Sequence, residues 1–262
     1  MLLGVRQFFE RRGAPSIPTA RDYMQTGLVA MWDGIENAGW GVHNENATVW
    51  NNLIGSSNLI GQSQSCADYW TSDGYELQGN SNTVWIESGD AAANLVSGGT
   101  LELVYENANS VHSAPYAGWI LSNRGQNDNS ETWFSFSGYW WYMFAMPEVN
   151  INNTQNGTFA VVNLPSSETY SGKHVFSTTY TDTGDCIGYV NGIQSVSKPN
   201  NPNIMAGFVN RNDRKIYLGK DGPRMDDFGK GIVHCIRFYS RPLSSSEILA
   251  NTAIDKARFN LP

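Results

Sequence analysis

The acids carry most of this sequence's chemical potential, and the first question is whether any two could act as a pair. Glycoside hydrolysis needs two carboxyl groups about 5–5.5 Å apart for retention, or about 6.5–9.5 Å for inversion. On a strand such a pair falls at even spacing, because alternate side chains share a face. Glu102 and Glu106 meet that condition, with Val104 between them. Leu101, Leu103 and Tyr105 take the opposite face, so residues 100–106 read as a strand with one wet side. A solvated strand face is therefore the expectation for the two glutamates. Elsewhere the spacing fails: Glu131 is followed by Thr132 and Trp133, and Glu148 by Val149 and Asn150. No G-x-S-x-G, H-E-x-x-H or P-loop occurs. These absences predict a chain that does not catalyse.

A second set of acids could meet a cation. Asp182 and Asp185 lie in Thr181-Asp182-Thr183-Gly184-Asp185, and Asp221, Asp226 and Asp227 precede Gly231. Calcium takes about six to eight oxygens, so either loop would need backbone carbonyls as well. Asp182, Asp185, Asp226 and Asp227 are the candidate calcium ligands, and ordinary Asp turns are the competing reading. His43, His112, His174 and His234 show no metal spacing, and His234, alternating with apolar residues, reads as a satisfied interior group. Cys66, Cys186 and Cys235 are odd in number and widely spaced, which favours buried reduced thiols over a disulfide.

Aromatic side chains are the third set. Residues 133–144 hold Trp133, Tyr139, Trp140, Trp141 and Tyr142, and neighbours on a strand point to opposite faces. Trp140 and Trp141 therefore cannot share one core, and one of them should be exposed or packed under a loop. An exposed indole can stack on the apolar face of a sugar. Trp40, in the Gly/Asn-rich stretch 34–50, offers a second surface of this kind. Trp40, Tyr139, Trp140 and Trp141 are thus the candidate ligand-binding residues.

The elements that position these groups are short. Of 262 residues, 40% are hydrophobic and 12% aromatic, with 26 Gly, enough apolar material for a core joined by many turns. Strand-like runs recur at 27–34, 48–53, 75–77, 83–86, 100–105, 119–121, 186–190, 193–196, 215–219 and 232–239. Asn191-Gly192 between two of them predicts a type I′ hairpin, and Gly138-Tyr139 is a candidate hairpin tip. Ser244-Ser245-Ser246-Glu247 has capping-box spacing and predicts a helix over roughly residues 245–257. Residues 1–26 read as an arm, interrupted by Pro15 and Pro18, with a short amphipathic helix within 2–12. Residues 27–262 read as one domain.

A net charge of -7 without any basic stripe argues against nucleic acid and anionic membranes. No run of about 18 apolar residues suggests a membrane span. The first residues, broken by Arg6 and Glu10, do not read as a secretory signal.

Three blocks resemble the laminin-G-like, concanavalin-A-like jelly-roll superfamily found in bacterial and phage surface proteins. They are Gly27-Leu28-Val29-Ala30-Met31-Trp32-Asp33-Gly34, then Gly188-Tyr189-Val190-Asn191-Gly192-Ile193, then the closing stretch from Gly231 to Ile248 with its Ile236-Arg237-Phe238-Tyr239-Ser240-Arg241-Pro242-Leu243-Ser244 core. The resemblance implies an all-β, two-sheet antiparallel jelly-roll sandwich with a short C-terminal helix and an N-terminal arm. In the closing strand, Ile232, Ile236 and Phe238 are expected on one buried face. The E-x-D-x-x-E pattern of the superfamily's hydrolases is absent. A structural or adhesion role follows, on a virion or assembly surface, with cell-surface glycans and, through the arm, other virion proteins as partners. A bacterial surface carbohydrate-binding module is the alternative, and a glycoside hydrolase of the same fold a more distant one.

Overall fold

The structure, a computed structural model, describes residues 16–61, 69–78, 86–87, 98–107, 117–122, 135–139, 142–144, 161–163, 172–181, 183, 185–198, 216–219 and 230–262. Among them the strands run, in chain order, β1 (Leu28–Asp33), β2 (Val49–Trp50), β3 (Leu59–Gly61), β4 (Tyr75–Gln78) and β5 (Ile86–Glu87). Next come β6 (Gly99–Asn107), β7 (Ala117–Ser122), β8 (Ser135–Tyr139), β9 (Tyr142–Phe144) and β10 (Val161–Asn163). The last are β11 (Gly172–Tyr180), β12 (Cys186–Val190), β13 (Ile193–Lys198), β14 (Tyr217–Leu218) and β15 (Lys230–Tyr239), before one helix, α1 (Ser245–Phe259).

These strands make two antiparallel sheets. One has the order β1-β15-β6-β11-β12-β13, with β4 sharing the outer edge of β15 beside β1; the other runs β10-β9-β8-β7-β14-β5-β3-β2. Between them lies a core in which Trp32, Leu103, Tyr105, Phe176, Ile236 and Phe238 of the first sheet share a cluster with Trp50, Leu59, Leu121 and Leu218 of the second. Leu101, Leu103 and Tyr105 all point inward, as their alternation predicts.

The closing strand departs from simple alternation. The register of β15 against β6 shifts between Val233 and Cys235, which leaves His234 as an extra, bulged residue. Val233, Ile236 and Phe238 therefore face the inner core and Cys235 the outer one. Ile232 is displaced from the shared face that unbroken alternation assigns it.

While Glu106 stays part-exposed, the outer face of the first sheet is dry where the helix lies. α1 and a single 3-10 turn at Ala20–Asp22 cover it, forming a second core from Ala20, Tyr23, Met31, Val104, Cys235, Tyr239, Ile248 and Phe259. Ser244 caps α1 and Glu247 completes the capping box; Asn260 closes the helix in the left-handed region at φ 53°. The Asn191-Gly192 hairpin forms as expected, with φ 51° and 80°, and its tip lies against Leu249 and Thr252 of α1.

The β8–β9 pairing extends through Gly138↔Met143 to Tyr139↔Tyr142, so the chain reverses beyond Tyr139 and not at Gly138-Tyr139. Cys186 and Cys235 are buried free thiols; Cys66 lies outside the described residues. Among the described residues no helix is long and apolar enough to cross a membrane.

Candidate functional site

Glu102 shows how the helix layer changes the chemistry of the sheet. It faces outward but is fully buried, with Arg237 Nε 2.8 Å from one carboxylate oxygen. Asn251 of α1 donates to that same oxygen at 2.8 Å, and the Ser177 hydroxyl donates to the other at 3.2 Å. Arg237 spends its remaining nitrogens on Asp255 and stacks 4.0 Å over the Tyr23 ring. Burial pushes the Glu102 carboxyl above its ordinary value, and neighbouring Asp255 adds to that. The expected solvated face is thus a sealed ionic network, because the inward side of α1 carries Asn251, Thr252 and Asp255 where apolar residues are usual.

Glu106, four residues on, shares a lysine and a histidine with a second acid, Asp73. Its carboxylate lies 3.2 Å from His234 Nε2 and 3.9 Å from the Lys173 ammonium. Lys173 also contacts Asp73 at 2.5 Å, while His234 Nδ1 sits 3.0 Å from the Asp73 carbonyl. His234 is the bulged residue of β15, fully buried as an interior polar group. Burial raises the Asp73 carboxyl, but hydrogen bonds from His234 and Lys173 outweigh it and hold the acid well below the usual carboxylate range. A general acid for sugar hydrolysis needs the reverse shift. The arrangement is that of a fixed charge cluster.

The loop after β1 presents a different surface. Asp33 Oδ1 accepts from the N–H groups of Ile35 and Glu36, and Asn37 and Asn44 exchange hydrogen bonds across the loop. Glu36 is its central tie: one oxygen accepts from Ala20 N at 3.1 Å and the other from Gly41 N at 2.8 Å. Arg258 of α1 grips Asp33 at 2.8 Å and Glu36 at 3.2 Å. On this frame Trp40 packs against the outer core, and the Arg21 guanidinium lies 4.2 Å above its ring. Gly39 and Gly41, flanking Trp40, face open space, and Val42 is 52% exposed.

Of the residues singled out by aromatic character, Trp40 is thus placed, part-buried, on a loop tied by hydrogen bonds. Tyr139 ends β8, and Trp140 and Trp141 lie outside the described residues. Of the calcium candidates, Asp185 closes a local turn, its N–H donating to the Thr181 hydroxyl at 3.0 Å and its carboxylate accepting from Thr183 at 3.4 Å. Asp182, Asp226 and Asp227 lie outside the described residues. Among the described residues no three His, Cys, Asp or Glu side chains gather closely enough to hold a metal, and one carboxylate falls short of calcium's coordination.

No protein-family model matches the chain, and no curated protein matches it in sequence. Solved structures do. Domain 4 of AbnA, a GH43 extracellular arabinanase from Geobacillus stearothermophilus solved with arabinotriose, superposes with TM-score 0.52 at 14% identity over 87% of this chain and all of that domain. The binding domain of botulinum neurotoxin DC, in complex with SialylT, gives 0.63 at 10% identity over 89% of this chain and 52% of its own length. A Trypanosoma rangeli sialidase with 2,3-difluorosialic acid gives 0.56 at 15% over 92% of this chain and 34% of its own. The fold is an all-β antiparallel sandwich, which these structures share. Against the latter two the chain spans about half and about a third of the neighbour's length, and at these identities the likeness is one of fold.

Three residues of this sandwich escaped the sequence reading. Arg21 sits in Thr19-Ala20-Arg21-Asp22, which has capping-box spacing and forms that box around the 3-10 turn. Asp73 and Lys173, 100 residues apart, carry no local signal of their meeting.

Proposed function

We propose that this chain is a non-catalytic, glycan-binding jelly-roll module carried on the surface of a virion or comparable assembly, of laminin-G-like kind. The observation that carries the reading is the state of the described acids, Asp33 and Glu36 among them, which are buried and held by Arg258. Glu102 is sealed beneath α1, and the converging pair Asp73 and Glu106 is bridged by Lys173 and His234. Neither arrangement leaves a neutral acid beside a free carboxylate, which sugar cleavage requires. The part-exposed surface where Arg21 lies over Trp40, with Val42 exposed in the same loop, supplies what shallow recognition of a sugar needs. The fold likenesses support the same class: the arabinanase domain is bound to arabinotriose and the neurotoxin binding domain to SialylT.

A single shallow platform binds in the mM to μM range, about −4 to −8 kcal/mol, so display in many copies would add avidity. Attachment to the particle is assigned to the first residues of the chain, since Ala20 and Tyr23 are already buried within the domain. The test is a glycan array probed with multimerised protein, with product analysis on every glycan that binds. Binding without turnover is expected. Turnover defeats the non-catalytic reading, and silence across the array defeats the glycan one. Removing residues 1–15 should abolish incorporation into the particle while leaving glycan binding intact; incorporation of the truncated chain would remove the docking role.

A further inference from the structure

We propose that Arg21, laid on Trp40, is a carboxylate-reading subsite, so that the sugar selected at this surface is an acidic one of the uronic or sialic type. The inference rests on the glycan-binding reading and names its ligand class.

Both components are held before any ligand arrives. The Arg21 backbone is pinned in the capped 3-10 turn, its N–H donating to the Thr19 hydroxyl at 3.3 Å and its carbonyl accepting from Gln25 at 3.3 Å. The flanking residues Ala20 and Tyr23 are buried. Trp40 rides on the loop tied by Glu36, and that one carboxylate joins the two segments: it accepts from Ala20 N, next to Arg21, and from Gly41 N, next to Trp40. The backbones that carry guanidinium and indole are therefore fixed relative to each other, which removes part of the ordering entropy that recognition by a long side chain normally costs.

Arg21 is also uncompensated. Nearby acids are committed elsewhere: Asp22 to the Thr19 N–H and hydroxyl, Glu36 to Ala20, Gly41 and Arg258. Among the described residues the Arg21 guanidinium has no ion pair or hydrogen bond, in a chain whose net charge is -7. With its central carbon 4.2 Å from the ring centroid and no partner among the described residues, its N–H groups remain available to both oxygens of a carboxylate. Val42, exposed two residues after Trp40, offers apolar contact for the sugar carbons.

The experiment compares a glucuronate-terminated oligosaccharide with its glucose-terminated counterpart, binding each to multimerised full-length protein. The wild type should favour the acidic form by about tenfold or more, in line with one charge-assisted contact, and lose that preference in high salt. Arg21→Gln should erase the preference. Arg21→Lys should restore part of it, and Trp40→Ala should weaken both ligands. Equal binding of the two sugars by the wild type, or a preference that survives Arg21→Gln, overturns the subsite and leaves the glycan reading standing. No binding of either sugar or of any arrayed glycan overturns both.

Discussion

Asp255 grips Arg237 with both carboxylate oxygens, 2.7 Å from Nη1 and 2.6 Å from Nη2, and so welds the helix to the closing strand beneath it. Both side chains are fully buried. Removing one partner of such a pair strands a charge away from water, which costs about 3–5 kcal/mol. Asp255→Ala should lose that much in urea denaturation. Glu102→Gln should lose markedly less, because Arg237 keeps its bidentate partner Asp255. Equal losses would show that the three groups do not divide the charge as described.

Asp33 makes stability depend on pH. Burial lifts its carboxyl to about 6 from 3.8, with Arg258 opposing the rise and Glu36 adding to it. The folded state then holds a proton more tightly than the unfolded chain between those values. The stabilisation from this group is complete below the unfolded value and disappears as pH rises through about 6. Relative to Asp33→Asn, the wild type should gain about 2 kcal/mol on going from pH 7 to pH 4. Denaturant titrations of both proteins at the two pH values measure it, and a constant gap would refute it.

The hairpin tip tests the packing of sheet on helix. Gly192 has φ 80°, and an added Cβ would stand 3.1 Å from both Leu249 Cδ1 and Thr252 Oγ1. Gly192→Ala combines left-handed strain with that crowding and should cost about 1–2 kcal/mol or more. A thermal melt at or above the wild-type Tm would show that the tip stands clear of α1.

Capping of α1 gives a smaller effect. Ser244 accepts from Glu247 N at 3.3 Å, and Glu247 returns the contact to Ser244 N at 2.8 Å. Ser244→Ala should cost about 1 kcal/mol, a fall in Tm of roughly 2–4 °C for a domain of this size. Calorimetry decides it; an unchanged midpoint would mean that the Arg241–Glu247 pair holds the turn unaided.

Local chemistry made several features legible. Asn191-Gly192 announced its hairpin, Ser244 to Glu247 its cap, and Leu101, Leu103 and Tyr105 their inward face, because each depends on residues a few positions apart. The same locality explains the misreadings. The bulge at His234 reverses the strand's parity, and nothing in residues 232–238 marks it, since its partners Asp73 and Glu106 lie 161 and 128 residues away.

Glu102 is the sharper case. By spacing alone it belongs to a wet face, and α1 would ordinarily be asked to cover an apolar one. The inward positions of α1 follow helical periodicity, yet Asn251, Thr252 and Asp255 are polar, so neither element reveals the other. Only their apposition supplies the hydrogen bonds that let charge be buried. Arg21 and Trp40 meet for a comparable reason, through one carboxylate that accepts from both their segments. Alternation, turns and caps are set by near neighbours and could be read from the chain; the state of each acid and the company of each aromatic depend on distant neighbours, which only folding brings within reach.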